Sequence, residues 1–236
     1  MTAASTNVSN PGRLALAEEL LGHHFTRADL LREALTHRSA AQGRARVRGI
    51  ASNERLEFIG DRVLGLLLAE WLAERFPAEQ EGQLGPRHAD LVSREALAAI
   101  AEEIGFSRVL SLGANEVTAG VGKLANVLAD AMEAALGALY LDGGLEPARG
   151  FVRRAWAGRI EAQILPPKDA KTALQEYVLA RGLKLPDYTV VSSDGPSHAP
   201  HFVITASACG QTGQGEAGSK RAAERAAAED LLRKLK

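Results

Sequence analysis

Acids at the head of an apolar helix constrain this chain more than any other feature. The stretch "NERLEFIGD", residues 53–61, continues directly as "RVLGLLLAEWLAERF". Helical spacing sets Glu54, Glu57 and Asp61 on one side, because residues three and four apart lie one above the other. Like charges stacked in this way repel, and carboxylates beside apolar packing lose hydration. The stretch "LANVLADAMEAALGALYL", residues 124–141, repeats the problem with Asp130 and Glu133 on one face. A fold that brings both helices together must set positive charge among four carboxylates.

A lone acid pair on a helix is ordinarily a solvated face. Two pairs inside otherwise apolar helices point instead to metal. Hard divalent ions such as Mg²⁺ take oxygen ligands and often complete their shell with substrate phosphates. Two such ions can hold both the attacking water and the leaving oxygen of a phosphodiester. Di-iron bundles also use carboxylates but want Glu-x-x-His on their helices, and no Glu here has a His three residues later. There is no G-x-S-x-G motif and a single thiol, Cys209, so a nucleophilic triad has no signature.

The rest of the chain reads as two grammars. From Arg13 to Leu165, "LREAL", "RLEFIGDRVLGLLLAEWLAERF", "RHADLVSREALAAIAEEIG", "KLANVLADAMEAALGALYLDGG" and "EPARGFVRRAWAGRIEAQI" all show helical apolar spacing. Pro77, Gly105 and Gly143–Gly144 supply stops, and no strand is expected. "LPPKDAK" reads as a linker. Beyond it, "DAKTALQEYVLARG" predicts a helix capped by Asp169 and stopped at Gly182. "YTVVS" and "HFVITASAC" alternate as strands, and "GQTGQGE" suits a third. "SKRAAERAAAEDLLRKLK" closes as a helix with Ala223, Ala227, Leu231 and Leu235 in one stripe. The expected fold class is an all-α domain over 13–165, a linker at 166–169 and a small α-β-β-β-α domain over 170–236. Residues 1–12 read as a disordered tail.

Composition narrows the setting. No apolar run approaches the roughly 18 residues of a membrane span, and the N-terminus has no secretory pattern. One cysteine suits a reducing compartment, so a cytoplasmic location is expected. A formal net charge of −1 argues against nucleic acid as partner, but the charge is unevenly spread. Residues 1–167 hold 18 basic and 21 acidic side chains, whereas residues 168–236 hold 10 and 8.

Four blocks in order now carry a resemblance. "ALTHRSA" (34–40), "NERLEFIGD", "EGQLGPRHADLVS" and "LADAMEAALGALYLDGG" resemble the signature blocks of the ribonuclease III family. The resemblance implies an all-α endonuclease that dimerises and hydrolyses double-stranded RNA with Mg²⁺, for which Mn²⁺ can substitute. Carried over residue by residue, the implied metal ligands are Glu57, Asp61, Asp130 and Glu133. Of these, Asp61 and Glu133 are implied as catalytic, with Glu133 the most critical and Glu54 in support. Phe58 matches an aromatic that packs into the partner subunit, with plain core as the alternative. Gly60, costing about 1 kcal/mol in a helix relative to alanine, implies close approach of a neighbouring helix or subunit. Processing of ribosomal RNA precursors and messenger RNA is the role such a family member would have.

The C-terminal segment resembles the double-stranded-RNA-binding domain. Thr172, Gln175 and Glu176 match positions facing a minor groove, and His198 in "GPSHAPHF" matches a side chain inserted into the next one. Ser219, Lys220 and Arg221 open the last helix toward phosphates of the intervening major groove. A-form RNA displays 2′-hydroxyls in a shallow minor groove, so such a domain reads shape. Two departures are visible. Ala217 replaces an expected glycine, with Gly218 shifted beside the serine, and "AAQGRARVRGIAS" (40–52) is longer than usual, with Arg44, Arg46 and Arg48 either contacting phosphate or merely solvated. Two rivals to the nuclease are a duplex-RNA-binding regulator that does not cut and a small-nucleotide phosphohydrolase. Intact carboxylates disfavour the first and the C-terminal domain disfavours the second.

Overall fold

The structure, a computed structural model, describes residues 10–41, 51–166, 169–196 and 200–235. The chain divides into two compact units, Met1–Pro166 and Pro167–Lys236. Arg44, Arg46, Arg48 and His198 lie outside the described residues.

The first unit is helical: α1 (Asn10–Leu21), α2 (Ala28–Ala34), α3 (Arg38–Ala41), α4 (Glu54–Arg75), α5 (Glu81–Leu91), α6 (Arg94–Glu103), α7 (Ala114–Thr118), α8 (Ala125–Gly143), α9 (Leu145–Ala155) and α10 (Ala157–Ala162). Helix begins at Asn10, inside the segment expected to be a tail. The single helix expected over 87–105 is two. Ser93 ends one and caps the next, its Oγ accepting Ala96 N–H at 3.2 Å and donating to the Asp90 carbonyl at 2.7 Å. A hydroxyl that serves both ends makes the break look like continuous helix in sequence. The last expected helix also divides, at the buried Trp156, whose indole N–H donates to the Leu91 carbonyl at 2.9 Å.

Helix α8 is the hub of this unit. Val127, Leu128, Ala131, Met132, Ala135, Leu136 and Leu139 are buried, and α2, α4, α6 and α9 pack around all but the side that carries Asp130 and Glu133. A helix apolar on most of its circumference is one the fold must pack on several sides. Against it α4 buries Leu56, Val63, Leu64, Leu67, Leu68 and Leu72. The two helices meet at glycines. A Cβ on Gly60 would lie 1.7 Å from the Glu133 carbonyl oxygen, and one on Gly137 would lie 2.2 Å from that of Leu56. The close approach expected of Gly60 is therefore to α8 of the same chain.

The far end of α8 is fastened by Asp142. Its carboxylate, 1% exposed, accepts from His23 Nε2 (2.8 Å), Thr26 Oγ1 (2.9 Å) and the backbone N–H groups of Thr26 (3.2 Å) and Arg27 (2.8 Å). Burial alone would raise its pKa, but these donors outweigh it and hold the group down at about 2. Such an acid contributes stability above its unfolded pKa and loses it as pH falls through about 2. Asp142→Ala leaves those donors unpaired and is expected to cost about 3 kcal/mol. Chemical denaturation at neutral pH checks this; an unchanged midpoint would show that the loop 23–27 is held by other contacts.

In the second unit, α11 (Ala170–Leu179) and α12 (Lys220–Leu235) cover one face of an antiparallel sheet of order β1-β2-β3, formed by Asp187–Asp194, His201–Ala208 and Gln211–Ala217. Asp169 caps α11 by accepting from the N–H groups of Lys171 and Thr172, and Gly182 follows its end at φ +68°. The core is Leu174, Val178, Ile204, Ala206, Ala223, Ala227, Ala228 and Leu231. Gly213 and Gly215 let β3 lie directly under α12, since a Cβ on either would come within 2.5 Å of α12 backbone. The β2–β3 hairpin turns on Cys209 and Gly210, at φ +55° and +73°. Two left-handed residues make a type I′ turn, in which asparagine is favoured first. Cys209→Asn is expected to stabilise this unit by about 0.5–1 kcal/mol, read as a higher melting temperature. A variant melting no higher would show that the cysteine bears no strain there.

Candidate active site

The packing of α4 on α8 brings Glu57, Asp130 and Glu133 together, each able to offer an oxygen within 4.8 Å of the other two. All three are half-buried. Glu57 sits one turn inside α4, and Asp130 and Glu133 occupy the one side of α8 that apolar helices do not cover. The electrostatics follow. Burial pushes all three pKa values up, and for Glu133 the charges of Asp61, Glu57 and Asp130 add to it, carrying the group to about 7. Arg94 at the start of α6 opposes the rise at all three. The triad is therefore short of positive charge. Three oxygens converging with that deficit could hold a hard divalent cation.

Asp61 stands at the border of this group. Its carboxylate is exposed and accepts from Arg62 Nη1 at 2.9 Å, yet its charge is the first among those acting on Glu133. Glu54 is exposed and accepts from Ser52 Oγ at 2.8 Å. Phe58 is 63% exposed, with the Arg62 guanidinium 3.9 Å above its ring, so it is not part of this chain's own core. In the second unit Thr172, Gln175 and Glu176 form an exposed i, i+3, i+4 set on α11. Ser219, Lys220 and Arg221 are exposed at the start of α12, where Ser219 Oγ accepts from Ala222 N–H at 3.3 Å.

Arg94 and a polar cleft beside the acids escaped the sequence reading. About 300 Å³ in volume, the cleft is lined in part by His37, Ser39, Glu116 and Asn126. Arg94 had a signal, a serine cap followed by a cation in "VSRE", hidden by reading 87–105 as one helix. His37 and Ser39 lie in the recognised "ALTHRSA" block, but their spacing alone assigns them nothing.

A family model described as Ribonuclease-III-like matches residues 27–160, more than half of the chain. The chain belongs to the ribonuclease III family. A second model, double-stranded RNA binding motif, matches residues 170–235. Among ribonuclease III relatives, Ribonuclease 3 of Rhodobacter capsulatus is 47% identical over 216 residues, covering 91% of this chain and 92% of that protein. Ribonuclease 3 of Dinoroseobacter shibae is 46% identical over 213 residues, covering 90% and 91%. The solved nuclease domain of ribonuclease III from Campylobacter jejuni, described for flexibility in its dimer-forming region, is 32% identical with a TM-score of 0.56. It covers 63% of this chain, which covers 97% of it. As a ribonuclease III, this chain is a ribonuclease, with a helical nuclease fold followed by a double-stranded-RNA-binding fold.

Proposed function

We propose that this ribonuclease III hydrolyses phosphodiester bonds of double-stranded RNA with Mg²⁺, leaving 5′-phosphate and 3′-hydroxyl ends. The observation that carries it is the convergence of Glu57, Asp130 and Glu133 with too little positive charge among them. These three would hold the metal, and Asp61 would complete the set if released from Arg62, with Glu54 in support. Mn²⁺, also a taker of oxygen ligands, substitutes. A bound divalent ion supplies Lewis-acid charge at the phosphate and lowers the pKa of water. Glu133 and Asp61 would hold the ion on the reacting side of the scissile phosphate, which bare carboxylates would repel, and Arg94 offsets the charge of the acids.

The division of labour is an endonuclease domain at 13–165, a linker at 166–169 and an RNA-binding domain at 170–236. Thr172, Gln175, Glu176 and His198 face minor grooves, while Ser219, Lys220 and Arg221 contact phosphate at a helix N-terminus that favours anions. Phe58 and Leu66, 63% and 56% exposed at i, i+8 spacing on α4, support a twofold dimer through that helix. Two sites on one duplex, each cutting one strand, would then give short 3′ overhangs. No helix of the described residues is long and apolar enough to cross a membrane, and the lone cysteine favours a cytoplasmic setting. Structured precursors of ribosomal and messenger RNA are the substrates this fits.

The test is end-labelled duplex RNA incubated with the purified chain in Mg²⁺ or in chelator, beside Glu133→Gln. Cutting is expected only with metal, and the variant is expected to lose at least about a thousandfold in rate while still binding. Binding without cutting in any divalent metal would favour a duplex-RNA regulator instead.

A further inference from the structure

Three strands leave the sheet of the second unit with two edges, β1 and β3. An edge strand offers a row of unpaired N–H and C=O groups on which another chain can build. β1 breaks its row with a register shift between Val190 and Ser192, the kind of bulge that spoils a template. β3 has no such device of its own. Its sequence "QTGQGEA" pairs with β2 residue for residue from Gln211 to Ala217, without proline, lysine or bulge.

Helix α12 supplies what β3 lacks. Gly213 and Gly215 bring the helix down onto the strand, so side chains of its last turns reach the outer edge. Lys234 Nζ donates to the Thr212 carbonyl at 2.9 Å, and the Asp230 carboxylate accepts from Gln214 N–H at 3.0 Å. Thr212 and Gln214 are two apart, so these groups share the side that faces away from β2. Asp230 and Lys234 stand four apart on α12, pair with each other at 2.7 Å, and Arg233 Nη2 donates to the other Asp230 oxygen at 3.0 Å. The hydrogen bond from Lys234, and after it that from Gln214 N–H, hold the Asp230 carboxyl below the usual carboxylate range, so it is an acceptor at neutral pH.

The pattern is that of a strand. In parallel pairing, one incoming residue donates its N–H to the carbonyl before the residue it faces and accepts, at its own carbonyl, from the N–H after it. Around Gly213, Lys234 is the donor and Asp230 the acceptor. We propose that Asp230 and Lys234 together take the place of one residue of a fourth strand, and so keep the β3 edge from pairing with the β3 of a second copy of this chain. A second copy is the occupant the edge itself fits. Parallel pairing of two identical edges closes about a twofold axis, Glu216 is the one charge on the strand, and Gln211 and Gln214 would meet their own kind in register, as glutamines do in stacked strands. Copies gathered on one RNA would otherwise meet at the high local concentration that favours such pairing.

The experiment compares the full chain with its Asp230→Ala/Lys234→Met variant, without RNA, by sedimentation velocity at matched concentrations. Wild type is the reference whatever the assembly state of its nuclease unit. The double variant should grow to at least about twice the wild-type mass as concentration rises, and its amide I band should gain a β-sheet component. Both substitutions suit a helix, so far-UV circular dichroism should show wild-type helix content. Adding Gln214→Pro, at an edge position where proline is tolerated, removes the N–H that an incoming strand needs and should return the mass to that of wild type. A double variant whose mass follows wild type at every concentration would overturn the proposal. So would association that the proline leaves untouched, or association that appears only with loss of helix content.

Discussion

Gly60→Ala is expected to unfold the nuclease unit more readily than any other single methyl group added to it, and to inactivate it. Alanine is the better helix former by about 1 kcal/mol, so propensity alone favours the variant. Sterics decide otherwise. The new Cβ would stand 1.7 Å from the Glu133 carbonyl oxygen and 2.9 Å from the backbone nitrogen of Gly137, neither of which can swing aside as a side chain could. The helices must part, emptying contacts along the most extensive helix–helix interface of this unit. Overpacking costs about 1–3 kcal/mol where side chains give way; against backbone the net loss should reach at least about 3 kcal/mol, or roughly 6–12 °C in Tm for a unit of this size. The residue pushed away is Glu133, proposed above as catalytic, and a shift of about 1 Å at such a group can cost about a hundredfold in rate. Thermal melting and duplex cleavage check both halves. A variant that melts at or above wild type would mean that α4 and α8 slide past each other freely.

The second large effect joins acidity to metal. Glu133 titrates at about 7 in the folded chain against an ordinary value of 4.5. A carboxyl raised on folding weakens the fold when ionised, so the penalty is absent below about pH 4.5, grows as pH rises, and is complete above about 7. The upward shifts of Glu57 and Asp130 act in the same direction. In chelator, Tm should therefore fall by several degrees between pH 5 and pH 8. Mg²⁺, which needs the ionised acids, should restore it at pH 8 and do almost nothing at pH 5. Glu133→Gln should melt above wild type in chelator at pH 8, equal it at pH 5, and gain less from metal. A flat melting profile across this range, or metal stabilisation independent of pH, would remove the cluster from consideration as a cation site.

Much of this was legible in the chain, for a physical reason. Glu57, Asp130 and Glu133 stand out because a carboxylate on an apolar helix violates the burial pattern, and the structure brings these three together. The Asp169 cap, the Gly182 stop and the strand alternation were equally readable because they are local. What was hidden depends on long-range contact. Arg87 reads as an ordinary surface cation in "GPRHAD", yet its side chain is 1% exposed. It is paired with both oxygens of Glu79 at 2.8 and 2.7 Å and lies 3.8 Å over Phe76. Gly137, the counterpart of Gly60 across the helix crossing, reads as one small residue among many alanines. Asp61 was expected among the acids but faces Arg62, a rotamer choice that spacing cannot predict.

The enclosure of α8 has a further bearing on how this enzyme fails. Backbone groups of a helix surrounded by its neighbours exchange with solvent chiefly when the whole cooperative unit opens. Because Asp130 and Glu133 ride on that helix, the proposed reactive centre is carried by a backbone whose middle is buried, and should keep its arrangement as long as that helix stays packed. Heating should leave it competent until the entire unit gives way, and then lose it in one step.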